Sequence, residues 1–509
     1  MRQWFAGEFE RCLDTCDHIR QHRVETRVNV ALLRARALLR LDRPDDALRA
    51  LDELVAVPMG TDESITLRML RGAASVRRGE ARQGLDELLA AALDSSNAHP
   101  TIRSEVNLNV GLAYYALHDF DSAERALSQV AEDSDLVHAR ATQYLAWIAQ
   151  ARSRNERSTE LFMAALDMLD RCEHYDRFFE ANCVRALAHL ALERLDGGTW
   201  DVVDARRSKI DWSAKGLAQP RFYIAFCAAA FQLDVAGNTA EAYREARFAE
   251  RIAPSDAFRV QARCARAWIA RETGEHMSQR DHVEAALELF QECDAAAFSG
   301  DETLVPLILA EELAAAGHPS AEATLAIYQN RVRPAGPVLA VKQSIAAEAY
   351  RWFIEATVLE AAGSIDTALA LYRKTHATLE RLGYERHAIM AALPIARRTG
   401  DRKLRSYAIR ATSRLPATSA LRRNAETVHA LRVRLTDVQR EVVVLICQGK
   451  SNPEIARLRK RSLHTVRNLV ARLFEIFEVN SREQLAVECV RRGLYSPDGA
   501  SEYATRRGA

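Results

Sequence analysis

Up to residue 400, apolar side chains recur at helical spacing, and short glycine, proline or polar breaks interrupt them. The alternation typical of a half-buried strand is almost absent. From Gly79 to Gly400 the breaks lie between 37 and 46 residues apart. We predict turns at positions 43–44, 79, 118–119, 155, 197–198, 237, 274, 317, 363 and 400. A period of about forty residues with two helices per unit predicts an all-α fold, an α-solenoid of stacked helical hairpins.

Some of these hairpins resemble the tetratricopeptide repeat. In the hairpin at 109–123, Gly111, Tyr114 and Ala123 stand at signature positions of that repeat. Because Gly111 has no side chain, two helices can approach closely there, and Tyr114 fills the space inside the hairpin. The resemblance implies that residues 1–410 form a tetratricopeptide-like α-solenoid, a sensor or protein-interaction domain of about nine to eleven hairpins.

Such arrays present a concave groove to peptides or protein segments. In the same hairpin, four apolar residues take the groove-facing positions, namely Leu108, Leu112, Tyr115 and Ala116. Their composition suits an amphipathic helix better than an acidic peptide tail. Two alternatives stay open. The four residues could pack only against the next turn of the superhelix, or the solenoid could hold a small molecule in a closed apolar cavity.

Four shorter helices are predicted behind the solenoid, at roughly 437–448, 452–458, 463–477 and 482–492. Thr436, Ser451 and Ser481 each precede a glutamine or glutamate by three residues, the pattern of a capping box, and Ser462 is an N-cap candidate without an acidic partner. Only residues 459–461 separate the second and third helices, which is the spacing of a helix-turn-helix.

The third of these helices has two different faces. Val466, Val470, Leu473 and Phe477 recur at the spacing of an inward face. The opposite face carries polar and small side chains, namely His464, Arg467, Asn468, Ala471 and Arg472. Arginine can bind guanine and asparagine can bind adenine through paired hydrogen bonds in the major groove. The pattern therefore predicts a recognition helix.

The segment 435–495 resembles the LuxR-type helix-turn-helix of bacterial transcription regulators. The matching pieces include Leu435-Thr436, Arg440-Glu441-Val442, Gln448-Gly449, Glu454-Ile455-Ala456, Thr465-Val466-Arg467-Asn468, Arg472-Leu473-Phe474 and Leu485-Ala486-Val487. The resemblance implies that Thr465, Arg467, Asn468, Ala471 and Arg472 contact double-stranded DNA. It also implies that the protein is a homodimer that pairs through the fourth helix.

The basic residues Lys460 and Arg461, next to the recognition helix, and His464 at its start complete the predicted DNA-contact set. The sequence departs from the family pattern at several positions, and Leu463 and His464 stand where the family usually has an acidic residue after the cap. Arg459 and Arg461 replace the apolar residues usual before the recognition helix, and Leu469 stands where the family often has histidine. The added arginines could contact phosphates or could loosen the domain. The alternative is a small helical domain that only dimerises.

Charge is divided unequally along the chain, whose net charge is +1. Residues 401–509 contain 22 basic and 11 acidic side chains, whereas the remainder contains 48 basic and 58 acidic side chains. A basic end behind an acidic body is typical of a protein that binds nucleic acid at one end only.

The sequence offers no pattern for catalysis. Its 14 histidines form no zinc motif, and acidic pairs such as Glu311-Glu312 are interpreted as solvated surface charge. Gly449-Lys450-Ser451 resembles the end of a P-loop, but Val444 occupies the position of the required first glycine. We therefore predict no enzyme activity, no cofactor and no bound metal. With no signal peptide and no long apolar run, we also predict a cytoplasmic protein without membrane contact.

Residues 411–434, which contain Pro416, are predicted to be a linker, and 496–509 a flexible tail. The function predicted is that of a sequence-specific transcriptional regulator. Its solenoid binds a protein, peptide or effector, with RNA polymerase as one candidate, and controls the helix-turn-helix. The alternative is a non-catalytic adaptor in which the solenoid is the active part and the helix-turn-helix only dimerises.

Overall fold

The computed structural model describes residues 9–22, 27–132, 135–173, 175–298, 300–332, 345–430, 435–477 and 479–491. In these ranges every regular element is helical, which confirms the all-α prediction. The chain divides into two compact units. The first lies within 1–395 and 413–422, and the second lies within 396–412 and 423–509. The tail predicted at 496–509 lies outside the described residues.

The first unit is a succession of helices, and the last of them extends to Thr399, beyond the boundary of the unit at Ile395. They are α1 (Phe9–His22), α2 (Arg27–Arg40), α3 (Pro44–Asp52), α4 (Thr61–Arg78), α5 (Ala81–Asp94), α6 (Pro100–Ala116), α7 (Phe120–Leu127), α8 (Asp135–Ala151), α9 (Asn155–Arg171), α10 (Arg177–Glu193), α11 (Gly197–Arg207), α12 (Ala218–Phe231), α13 (Thr239–Ile252), α14 (Asp256–Thr273), α15 (His276–Gln291), α16 (Val305–Ala315), α17 (Ala321–Ile327), α18 (Ile345–Ala361), α19 (Ile365–Arg381) and α20 (Glu385–Thr399). Nine hairpins, from α2–α3 to α18–α19, follow one another in the described part. Stacked helical hairpins are the predicted solenoid architecture.

The same turn closes hairpin after hairpin. A residue with a left-handed backbone follows the first helix, and the next amide bonds to the carbonyl five residues earlier. In α4–α5, Gly79 has φ 96° and the Glu80 amide lies 2.9 Å from the Ser75 carbonyl oxygen. The same bond is made by Asp119 to Tyr114, Glu275 to Ala270 and Ser364 to Leu359. This Schellman motif satisfies carbonyls that a helix end would otherwise leave unpaired.

Two predicted turns lie two residues earlier in the structure. The left-handed residues are Ser153 (φ 58°) and Leu195 (φ 54°), whereas Asn155 and Gly197 are the first residues of α9 and α11. The Asp196 side chain accepts a hydrogen bond from the Thr199 amide at 3.1 Å, so it caps α11. Because this cap starts the helix at Gly197, the glycine pair lies in the first helical turn.

Helix α12 ends differently, in a π turn over Gln232–Ala236. Gly237 (φ 70°) is packed so closely that an added Cβ would lie 2.6 Å from the Ser419 amide nitrogen. The Ser419 hydroxyl in turn donates a hydrogen bond to the Asp234 carbonyl oxygen. Residues 413–422, inside the segment predicted to be a linker, thus belong to the first unit.

The second unit contains α21 (Arg402–Thr412), most of α22 (Ala420–Ala430), α23 (Asp437–Cys447), α24 (Asn452–Leu458), α25 (Leu463–Phe477) and α26 (Arg482–Arg491). The last four match the four predicted shorter helices within one residue at each end. Their inward faces share one apolar core, which includes Val443, Ile455, Val466, Leu473 and Leu485.

Glycines set the distance between helices in two hairpins. A Cβ on Gly111 would lie 2.6 Å from Leu127 Cγ, which confirms the close approach predicted there. A Cβ on Gly72 of α4 would lie 2.8 Å from the Gly84 carbonyl oxygen of α5. Such contacts are shorter than van der Waals separations, so a larger residue must push the helices apart.

We expect Gly72→Ala to destabilise the first unit. Overpacking costs about 1–3 kcal/mol, and alanine's better helix propensity returns only about 1 kcal/mol. The thermal unfolding midpoint of the full chain measures the difference. Gly197→Ala is the matched control, because nothing lies within 4 Å of its Cβ position. Equal midpoints for the two variants would contradict the close packing.

Candidate nucleic-acid interface

The predicted caps of the second unit are formed by the predicted residues. Thr436 and Gln439 make a reciprocal capping box at the start of α23, and Ser451 and Glu454 make another at α24. The Thr465 amide donates to the Ser462 hydroxyl at 3.1 Å, so Ser462 caps α25. At α26 only one of the two hydrogen bonds of the predicted capping box forms. The Gln484 amide donates to Ser481, but the Gln484 side chain accepts from the Asn480 amide instead.

The turn between α24 and α25 is a further Schellman motif. Lys460 has a left-handed backbone (φ 48°), and the Arg461 amide bonds to the Ala456 carbonyl oxygen at 3.0 Å. A lysine in this conformation costs about 1–2 kcal/mol relative to glycine. This turn is therefore held by backbone hydrogen bonds rather than by a glycine.

Helix α25 separates an apolar face from a polar one, as its sequence predicts. Val466, Val470, Leu473 and Phe477 are buried. All eight side chains of the predicted DNA-contact set are exposed, namely Lys460, Arg461, His464, Thr465, Arg467, Asn468, Ala471 and Arg472. Their assignment to DNA contact stays a prediction.

Four of these exposed side chains carry a positive charge. No carboxylate in the described part of the chain forms an ion pair with Lys460, Arg461, Arg467 or Arg472. Arg459 differs, because it is paired with Glu441 of α23. One of the two arginines that depart from the family pattern is thus neutralised within the unit, and the other keeps its charge at the surface.

Two contacts position polar side chains on this face. The Asn468 Nδ2 and His464 Nε2 atoms are 3.3 Å apart, one helical turn from each other. The hydroxyls of Ser462 and Thr465 are 2.8 Å apart at the start of the helix. Asn468 therefore projects next to His464 rather than toward the core.

Helix α26, the predicted dimer surface, exposes the apolar side chain of Val487. Val487 is 67% exposed, whereas Leu485 and Cys489 of the same helix are fully buried. At the start of α26, the Arg482 Nη1 atom donates to the Asn452 side chain at 2.9 Å, which ties this helix to α24. The exposed valine is thus held on a fixed surface.

The four groove candidates lie where α6 meets the following hairpin. Leu108 and Tyr115 are buried in one apolar cluster with Ala141 and Ile148 of α8, and Leu112 packs against the same cluster. Ala116 is half-buried. The Tyr115 and Tyr144 rings are 5.8 Å apart, edge to face. This packing corresponds to the first alternative above, and groove binding by these residues stays a prediction.

A buried ionic centre in the first unit, formed by Glu193, Asp234, Arg386 and His387, was not predicted from the sequence. The Arg386 Nε atom donates to Asp234 at 2.7 Å, and its Nη1 atom lies 3.6 Å from Glu193. The His387 Nδ1 atom lies 2.7 Å from the other Glu193 oxygen. Glu193 and Asp234 are 1% and 3% exposed. These residues come from α10, the π turn and α20.

Burial and charge compete at this centre. Burial alone would raise the pKa of Glu193, but the attraction and hydrogen bond of His387, together with Arg386, lower it to about 2. Burial dominates at Asp234, whose pKa is raised despite Arg386. Burial would lower the pKa of Arg386, but the two carboxylates raise it above its ordinary value.

Two further bonds join the same distant parts of the first unit. The Asn155 side chain donates to the Leu382 carbonyl oxygen at 2.9 Å, across 227 residues of sequence. The Arg414 Nη2 atom donates to the Arg194 carbonyl oxygen at 3.0 Å, across 220 residues. Hairpins far apart in the chain therefore touch.

The interpretation of the acidic pair Glu311-Glu312 as solvated surface charge was wrong for Glu312. Glu312 is only 4% exposed, so it is not solvated surface charge. Its two carboxylate oxygens both lie 3.2 Å from Arg271 Nη1. Helix α16 is apolar on most sides and is largely buried. Glu312 therefore lies inside the unit, where it contacts Arg271 of α14.

Two chemical features are not found in the described ranges. These residues contain no group of three or more histidine, cysteine, aspartate or glutamate side chains arranged to hold a metal ion. Nor does any helix among them have the length and apolar character needed to cross a membrane.

No protein-family model and no curated protein matches the chain. Among solved structures, it resembles a chain of the APC/C hetero-tetramer Cut9–Hcn1 at 14% identity and a TM-score of 0.35, over 95% of this chain and 88% of that one. It also resembles a chain of Naa15/Naa10 bound to HypK-THB at 12% identity and a TM-score of 0.20, over 96% of this chain and 92% of that one. The hairpin architecture rests on the helix pairing described above.

We expect Glu193→Gln to destabilise the protein in a pH-dependent way. The folded pKa of about 2 lies below the ordinary value of 4.5, so the carboxylate stabilises the fold above pH 4.5. That contribution, on the order of 3 kcal/mol, disappears as the pH falls from 4.5 toward 2.

Unfolding midpoints of the two proteins, measured between pH 7 and pH 3, test this expectation. The difference between them should be largest at pH 7 and shrink below pH 4.5. Glu160→Gln, which breaks the exposed pair with Arg157, is the control and should change little. A difference that stays constant across the pH range would contradict the assignment.

Proposed function

We propose that this chain is a helical-repeat interaction protein that also binds double-stranded DNA through its second unit, as a transcriptional regulator. The observation that carries the DNA-binding proposal is the exposed face of α25 and the turn before it. Lys460, Arg461, Arg467 and Arg472 carry four positive charges there that no carboxylate in the described ranges neutralises. Unneutralised cations attract the phosphates of DNA, and their binding releases the counterions that surround the DNA.

The side chains on this face can also read sequence. Arg467 and Asn468 lie in the first two turns of α25, the part of a recognition helix that meets base edges. Each well-placed arginine or asparagine pair discriminates between bases by about 1–3 kcal/mol. Thr465 and Ala471 are small enough to let the helix enter the major groove, and Arg472 reaches a phosphate or a base.

The first unit supplies the partner site. Stacked hairpins bind protein or peptide segments, with RNA polymerase as one candidate. Binding there changes the accessibility or the dimer geometry of the second unit. Homodimers would place two recognition helices on paired half-sites.

An adaptor without DNA binding is the second candidate, and two observations favour it. The helical array makes up most of the chain, and stacked hairpins are interaction scaffolds. Arg459, the arginine before the turn, is tied to Glu441 and is not available to phosphate. In this candidate the second unit only dimerises.

We expect Arg467→Ala to lower the affinity of the full chain for its selected site by about 1–3 kcal/mol and to relax specificity at one base position. Selection from a random duplex library, followed by a salt titration, measures both quantities. Arg157→Ala, on the surface of the first unit, is the control. Equal losses on every sequence would show that Arg467 contacts phosphate only. No binding by the unmodified protein at low salt would favour the adaptor.

We expect Val487→Glu to shift the protein from dimer to monomer, because a charge on the predicted dimer surface must be desolvated on association. Sedimentation equilibrium of the full chain measures the change. Val55→Glu is the matched control, since Val55 is 66% exposed and Val487 is 67% exposed. Dissociation by both variants or by neither would place the dimer surface elsewhere.

A further inference from the structure

A cleft opens in the first unit between α11, α12 and α13, with the turn through Trp212 at one side. Its volume is about 630 Å³. Small-molecule sites commonly fall in the range of about 300–1,000 Å³. The cleft belongs to the first unit, whereas the DNA contacts proposed above belong to the second.

The side chains that line the cleft include more positive than negative charges. Four arginines and three carboxylates line it. Arg207 pairs with both Glu245 and Asp204, at 2.8 and 2.7 Å, and Arg244 pairs with Glu241. All three carboxylates are therefore engaged. Arg221 and Arg251 form no ion pair with any carboxylate in the described ranges.

These two arginines share one aromatic ring. The guanidinium carbons of Arg221 and Arg251 lie 5.1 and 5.8 Å from the centroid of Phe248. Arg221 also lies 6.0 Å from the Trp212 ring. Contact with a ring face favours a cation at such distances but does not neutralise it. Both positive charges thus lie beside the same aromatic ring.

The wall that holds them is fixed by other contacts. The Trp212 indole nitrogen donates to the Arg207 carbonyl oxygen at 3.0 Å, which orients the ring. Phe248 packs against a buried cluster that contains Phe222 and Ala249. Rigid support of this kind lowers the ordering cost of binding a ligand.

We propose that this cleft binds a small phosphorylated molecule of nucleotide size, with its phosphate between Arg221 and Arg251. A guanidinium donates two parallel hydrogen bonds to an oxyanion, and two guanidiniums can together engage the oxygens of one phosphate. The dianionic charge of a phosphomonoester matches the two unneutralised cations. The volume leaves room for the rest of a nucleotide beside the Trp212 ring.

The test is isothermal titration of the full chain with AMP and with ribose 5-phosphate, and with adenosine and a tetraglutamate peptide as comparison ligands. We expect the two phosphates to bind and adenosine to bind far more weakly. Arg221→Ala and Arg251→Ala should each weaken AMP binding by roughly tenfold or more, the loss expected for a charged hydrogen-bond pair. The double variant Arg244→Ala/Glu241→Gln removes an ion pair at the same cleft without changing its net charge, so it is the matched control and should change affinity little.

Three results would overturn the proposal: no binding of either phosphate, equal weakening by the Arg244→Ala/Glu241→Gln variant, or tighter binding of tetraglutamate than of AMP. The last would identify a docking surface for acidic peptides. If an alanine variant does not fold, Arg221→Lys keeps the charge but loses the paired donors and should still weaken AMP binding. Because Arg467→Ala leaves the cleft intact, failure of DNA binding and failure of AMP binding are distinguishable.

Discussion

The salt bridge between Arg386 and the carboxylates of Glu193 and Asp234 is the constraint on which the first unit depends. A guanidinium taken out of water costs several kcal/mol unless charged partners meet it with good geometry. Its partners here stand 193 and 152 residues away in the chain. The Trp268 ring, 5.3 Å from the guanidinium carbon, covers it as well. Hairpins that could otherwise flex independently must therefore meet in one arrangement.

The π turn of α12 is part of this constraint. One additional residue in the helix turn changes which way the following side chains point. In this turn, the Asp234 carboxylate meets Arg386 while its carbonyl oxygen accepts the Ser419 hydroxyl. A single residue thus joins the ionic centre to the segment 413–422.

Local features of the fold could be predicted from the sequence, whereas its long-range contacts could not. The breaks in the apolar pattern located most hairpin turns, and capping residues located the four short helices. The hydrogen bonds that close a turn or cap a helix join residues within about six positions of each other, so a short stretch of sequence is enough to predict them. The turns at Ser153 and Leu195 were predicted two residues too late, because the turn-forming residues nearby, Asn155 and Gly197, begin the following helices. Nothing near Glu193 or Arg386 in the sequence indicates that they meet. For α25, the spacing of apolar residues predicted which side chains are exposed, but the sequence did not indicate that Glu441 neutralises Arg459.

The hydrogen bond from Asn155 to Leu382 limits how this protein can evolve. Arrays whose units touch only their neighbours can gain or lose a unit, since the remaining interfaces are unchanged. Here the α9–α10 region and the α19–α20 turn must stay within reach of each other. Duplication or deletion of one hairpin between them would move one end away from the other. The contact between Asn155 and Leu382 therefore fixes the number of hairpins that can lie between them.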